Sequence, residues 1–255
     1  MTSFFYKDQG TGPPILLLHG FCETHQIWDD FADELAKNFR VIRPDLPGFG
    51  RSKLPLDPFT IENIGTQLSQ WACKLKLVKL TVIGHSLGGY IALAMARHNP
   101  ELFAGLCLFH STPFSDSLEK RNNRNKAIDF VRKNGIEPFV ETFVPSLFYL
   151  KDNEFVPFVK RLALGTQIDT FIAYSEAMRD RPSYEGLLIG FNSYIMVVAG
   201  INDSIIPKSV SISAGSLASK SELILLENTS HMGMLENKMK CIKSISEFTL
   251  RCNNG

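Results

Sequence analysis

Short, unbroken apolar runs alternate along this chain with segments whose apolar residues recur every three or four positions. Residues 15–18, 80–83, 105–109, 195–199 and 223–226 are runs of strand length. Continuous apolar character, in place of strict alternation, predicts strands buried on both faces. Val41 and Ile42 predict a shorter strand that ends at Pro44. Between the runs lie helical patterns. Trp28, Phe31 and Leu35 share a helical spacing, and Ile61, Ile64, Leu68, Ala72 and Leu75 trace one face of an amphipathic helix. Residues 87–97 are apolar on most sides, which predicts a buried helix. Residues 207–218 predict another, and a last helix runs through Leu235, Met239, Ile242 and Ile245. This βαβα order predicts an α/β fold with a mostly parallel sheet flanked by helices.

The pattern breaks at 112–185. Strand runs stop there and helical spacing takes over. The segment carries 11 basic and 11 acidic residues, so it reads as solvated, yet it holds eight of the 19 Phe. The expected organisation is a core of residues 1–111 and 186–255 with an inserted helical lid at 112–185. Its aromatic residues either pack a small core of their own or wall a pocket beneath it. Phe143 and Phe148 are the candidates for such a wall.

Composition narrows the partners. Lys plus Arg number 27 against 26 Asp plus Glu, a net charge of +1, which gives no reason to expect nucleic acid or an anionic membrane. The chain of 255 residues is 44% hydrophobic, enough for a sizeable core in one domain. Its five Cys are irregularly spaced with no C-x-x-C, which argues against a zinc ribbon or a thioredoxin-type site. No apolar run approaches the roughly 18 residues of a membrane span, and residues 1–10 lack a secretory pattern. A cytoplasmic protein with reduced thiols is expected. No nucleotide fingerprint and no H-E-x-x-H cluster is present, so neither cofactor nor metal is expected. Oligomeric state leaves no signal.

Chemistry concentrates at Gly84-His85-Ser86-Leu87-Gly88, a G-x-S-x-G pattern between a predicted strand and a predicted buried helix. That context suits a sharp strand-to-helix turn that lifts a serine hydroxyl above the sheet. The helix N-terminus adds backbone N–H groups that favour negative charge, and Leu87, directly after the serine, supplies one such donor.

With three other blocks, this motif resembles the α/β-hydrolase superfamily, in particular its esterase, C–C hydrolase and cofactor-free haloperoxidase group. The other blocks are Leu18-His19-Gly20-Phe21, the stretch from Asp45 to Ser52, and the regions of Asp203 and His231. The resemblance implies a Ser–Asp–His order along the chain. Asp203 follows a strand and would orient His231, which would take the Ser86 proton and pass it to the leaving group. Asp116 is a weaker rival for the acid. The family pattern places the second oxyanion donor on the Phe21 N–H, and loss of such a donor costs roughly 10²–10³ in rate. His85 is expected to point away from the hydroxyl, and His19 to make structural hydrogen bonds. His110 and Trp28 are further candidates for the pocket, while His25 and His98 read as surface or packing residues. Asp45 reads as a loop-fixing carboxylate.

The expected activity is hydrolysis of a small to medium, mostly apolar carboxylic ester through an acyl-enzyme. Haloalkane dehalogenases and epoxide hydrolases of this fold use Asp where this chain has Ser86. Carbon–carbon bond hydrolases and succinyl-cyclohexadiene carboxylate synthase-like enzymes keep the same triad but bind acidic substrates. Arg121, Arg124 and Lys126 would be their candidate cations, although the even charge balance of 112–185 favours solvated faces. A ligand-binding signalling protein on the same fold is the remaining alternative.

Overall fold

The computed structural model describes residues 4–54 and 59–254; the outermost residues of the two expected core segments, 1–3 and 255, lie outside it. Seven strands form one sheet: β1 (Tyr6–Gln9), β2 (Pro14–Leu18), β3 (Arg40–Pro44), β4 (Leu80–His85), β5 (Phe103–Phe109), β6 (Tyr194–Gly200) and β7 (Ser221–Leu226). Their order is β1-β3-β2-β4-β5-β6-β7, with only the β1–β3 pair antiparallel. Helices α1 (Asp29–Leu35), α2 (Ile61–Lys74) and α3 (Leu87–His98) precede β5. After β5 come α4 (Leu118–Asn134), α5 (Glu137–Ser146), α6 (Val156–Leu164), α7 (Ile168–Asp180) and α8 (Glu185–Ile189). Finally α9 (Lys208–Gly215) lies between β6 and β7, and α10 (Gly233–Glu236) and α11 (Lys238–Asn254) follow β7.

The apolar runs are continuous because each strand serves two cores. Leu16 and Leu18 face one cluster with α2 and α3, whereas Ile15 and Leu17 face the other with α1 and α11. This is the two-sided burial expected of parallel strands joined by crossover helices. β4 lies in the middle of the sheet, and its C-terminal end delivers Ser86. In doubly covered sheets, the carboxyl ends of the strands form the ligand crevice.

Several elements depart from the sequence expectation. The helix expected through Trp28, Phe31 and Leu35 is preceded by a 3-10 turn, His25–Trp28, before α1, with Thr24 Oγ1 accepting from Gln26 N at its start. β1 reads as polar, Tyr6-Lys7-Asp8-Gln9, because it is an edge strand held by its pairing to β3. The last helix divides at Asn237, whose φ of −141° is not helical. The short α10 turn is tied to the neighbouring loops by Glu236, which accepts backbone N–H bonds from Tyr149, Ser230 and Met232. The helical stretch after β5 runs to Ile189, past the expected end at 185. Its two ends meet where Tyr184 N donates to Pro113 O at 2.8 Å and Arg181 donates to Asp116.

Candidate active site

Ser86 sits between β4 and α3 with φ 49° and ψ −113°. A non-glycine residue adopts that conformation only under constraint. The constraint is visible on both sides. Ser86 N donates to Phe109 O, and Ser86 O accepts from Gly89 N and from Ser111 Oγ. Gly84 and Gly88 are required by close approach: a Cβ on Gly84 would lie 2.5 Å from the Gly88 and Gly89 backbone, and one on Gly88 would lie 2.5 Å from Leu18 O.

His231 and Asp203 meet although 28 residues separate them. His231 Nδ1 donates to Asp203 Oδ2 at 2.8 Å. Because a carboxylate only accepts, the proton of this bond sits on Nδ1, and Nε2 is the ring nitrogen not engaged by Asp203. The other oxygen, Asp203 Oδ1, accepts from the N–H groups of Ile205 and Ile206 at 2.8 and 2.9 Å. Burial alone would raise the Asp203 pKa. The charge of His231 and the hydrogen bonds from His110 and His231 outweigh it and hold the carboxyl well below the usual range.

His110 is the third member of this cluster. Its Nδ1 lies 3.2 Å from the same Asp203 Oδ2, and its Nε2 has no partner among the described residues. Burial is the dominant influence and pushes its pKa down to about 4, despite Asp203. A neutral ring with its proton on Nδ1 satisfies both observations. His110, Asp203 and His231 bring three ligand-type atoms within 4.8 Å of one another. The shared hydrogen bonds on Asp203 Oδ2 account for that approach.

A cavity of about 310 Å³ opens over Ser86 and His231. Phe21, Phe143, Phe139 and Phe171 contribute apolar wall, and Lys120 and Arg124 contribute charge. The backbone N–H groups of Phe21 and Leu87 donate to no other described group. No hydrogen bond joins Ser86 Oγ to His231 among the described residues; such bonds are often long before substrate arrives.

Other expected residues lie elsewhere. Trp28 is fully buried against Phe31 and Phe109, with ring centroids 5.4 and 5.6 Å away, and does not line the cavity. Phe148 is 4% exposed and packs in a hydrophobic cluster that includes Val144 and Val159, and His110 is fully buried beside Asp203; neither lines the cavity. Each is consumed by packing before it reaches the pocket. Asp116 holds Arg124 and Arg181, not a histidine. His25 is buried, and its backbone and ring nitrogens both hydrogen-bond Asp45 Oδ1, while Asp45 Oδ2 accepts from Arg51 N. His19 bridges Gly20 O and Leu46 N. His85 lines the cavity as well, yet both its nitrogens are engaged, Nδ1 with Glu23 at 3.0 Å and Nε2 with His231 O at 3.0 Å. Glu23 gave no signal in the sequence: a single loop carboxylate has no spacing to reveal it.

A sequence model of the alpha/beta hydrolase fold matches residues 13–143. Among solved structures, a thermophilic esterase from Thermogutta terrifontis, described with malate bound, superposes with a TM-score of 0.92 at 28% identity over 98% of this chain and 94% of that one. The pimeloyl-[acyl-carrier protein] methyl ester esterase of Vibrio vulnificus (strain YJ016) is 34% identical over 44% of this chain and 42% of its own length. A soluble epoxide hydrolase of Corynebacterium sp. (strain C12) is 34% identical over 42% and 38%. The matched stretch spans less than half the length of each curated relative. The family match covers just over half of the sequence and includes the strand and turn that carry Ser86, so the chain belongs to the alpha/beta hydrolase fold family.

Proposed function

We propose that this protein is a serine hydrolase that cleaves carboxylic esters through an acyl-enzyme. The observation that carries the reading is the His231–Asp203 hydrogen bond beside a cavity that also exposes Ser86 on a constrained turn. In this scheme His231 Nε2 takes the Ser86 Oγ proton as the oxygen attacks the ester carbonyl, and Asp203 stabilises the resulting imidazolium. The N–H groups of Phe21 and Leu87 receive the negative charge that develops on the carbonyl oxygen. His231 then gives its proton to the departing alcohol, and a water molecule activated by the same nitrogen releases the acid. The helices at 112–185 act as a lid, and their aromatic residues exclude water above the nucleophile. The esterases among the similar proteins support this reading.

The test is turnover of p-nitrophenyl esters together with labelling by a fluorophosphonate probe. Ser86→Ala is expected to lose both, with turnover down by about 10³ or more. Wild-type protein that is folded yet neither labels nor hydrolyses would instead indicate a ligand-binding protein on this fold.

A further inference from the structure

We infer that the ester substrate carries an anionic tail, read by Lys120, Asn123 and Arg124 of α4. This rests on the ester reading above and names the substrate class within it. The three residues stand at i, i+3 and i+4, one face of a helix, and all three line the cavity that holds Ser86 and His231.

The local charge count leaves this wall positive. Arg124 Nε donates to Asp116 Oδ2 at 2.5 Å, but Asp116 Oδ1 already accepts from the buried Arg181 at 2.7 Å. One carboxylate between two guanidinium groups leaves one positive charge uncompensated. Lys120 Nζ donates to the carbonyl of Ile205 at 3.2 Å and has no carboxylate partner among the described residues. Among the described residues, the one acidic residue in the cavity lining is Glu23, and His85 already faces it. Partly buried cations without counter-charge are costly unless something pairs with them. Their neighbours along the cavity are Phe139, Phe143, Phe171 and Met178. An apolar stem ending in a carboxylate satisfies both halves, with the ester at Ser86 and the anionic end at α4. Half-esters of dicarboxylic acids have that form. The even charge balance of 112–185 concealed the feature, because a count over the segment does not separate charges at the cavity from exposed ones such as the Arg121–Asp180 pair.

The experiment compares p-nitrophenyl esters whose acyl chains end in a carboxylate or in the isosteric carboxamide, over a series of chain lengths. At the best length the carboxylate is expected to have about tenfold higher kcat/KM, the effect of one charge-assisted contact, and the advantage should shrink with added salt. Lys120→Met and Arg124→Met should each move the carboxylate-to-carboxamide ratio toward one; Asp116 keeps Arg181 in the second variant. Binding is read without turnover, by calorimetry of the matching dicarboxylic monoamide against the diamide. Ester turnover with a ratio of one at every length overturns the anion subsite and leaves the esterase reading intact. If neither ester is cleaved but the monoamide binds more tightly than the diamide, the esterase reading fails and the subsite stands. Equal binding of the two amides overturns the subsite.

Discussion

Glu23 and His85 hold together three pieces of chain that reach the cavity from different directions. Glu23 Oε2 accepts from Gly20 N at 2.7 Å, which fixes the turn that presents the Phe21 N–H. His85 bridges from Glu23 to the carbonyl of His231. Burial alone would lower the His85 pKa and raise that of Glu23. Their mutual attraction outweighs burial in both, so His85 is shifted up and Glu23 down. The pair therefore favours an imidazolium against a carboxylate, with Nε2–H available to the His231 carbonyl. Glu23→Gln removes the counter-charge and one acceptor while preserving shape. Because the Phe21 N–H would matter most in the transition state, kcat should fall by about tenfold or more with KM little changed. Steady-state kinetics on a p-nitrophenyl ester checks this. A variant with wild-type kcat and only a lower melting temperature would assign Glu23 to packing alone.

At the scale of elements, the crossing of α2 over α3 sets how the helix that follows Ser86 lies on the sheet. Gly65 makes that approach possible: a Cβ there would lie 2.5 Å from Ala94 Cβ and 2.8 Å from Ala94 C and Met95 N. Alanine would improve helix propensity by roughly 1 kcal/mol. Overpacking against backbone atoms costs about 1–3 kcal/mol, and backbone cannot swing aside. Gly65→Ala is thus expected to destabilise, by about 1 kcal/mol, and Gly65→Val by more, read as a lower urea midpoint at unchanged m. Elements of this kind were legible where the local pattern and the tertiary role coincide. The runs at 80–83 and 105–109 became β4 and β5, and residues 61–75 became α2, with Thr60 capping its first turn. β1 was not legible, since nothing in Tyr6-Lys7-Asp8-Gln9 indicates a strand until β3 is beside it. The same division runs through the site. The turn at Ser86 has a local signature in its glycines, so it could be read directly. Wall residues have none: Phe143 and Phe148 look alike in sequence, and only packing turns one toward the cavity and the other into the core. Lys120 and Arg124 could have been paired by their helical spacing, but which way that face points is a tertiary fact.

For the whole molecule, a net charge of +1 leaves little self-repulsion to drive unfolding near neutrality, so buried titrating groups set the response to pH. They act in opposite directions. His110 and His19 are shifted down, chiefly by burial. The unfolded chain therefore binds their protons first, and stability falls as pH drops below the ordinary histidine value of about 6.5. His85 is shifted up despite its burial, so its contribution is complete below about 6.5 and fades as pH rises through its folded value. Asp203, shifted down, keeps its contribution until pH falls below the ordinary carboxylate value of about 4. Stability should thus peak near neutral pH and begin its acid decline well before the carboxylates titrate. His110 alone, with its pKa near about 4, accounts for a loss on the order of 3 kcal/mol between pH 6.5 and 4. His110→Asn keeps a donor toward Asp203 but cannot titrate. Whatever it does to stability at neutral pH, its unfolding free energy from urea melts should decline less steeply across that window than the wild type's. An unchanged slope would mean that the His110 ring is already protonated in the folded protein and shares its charge with Asp203.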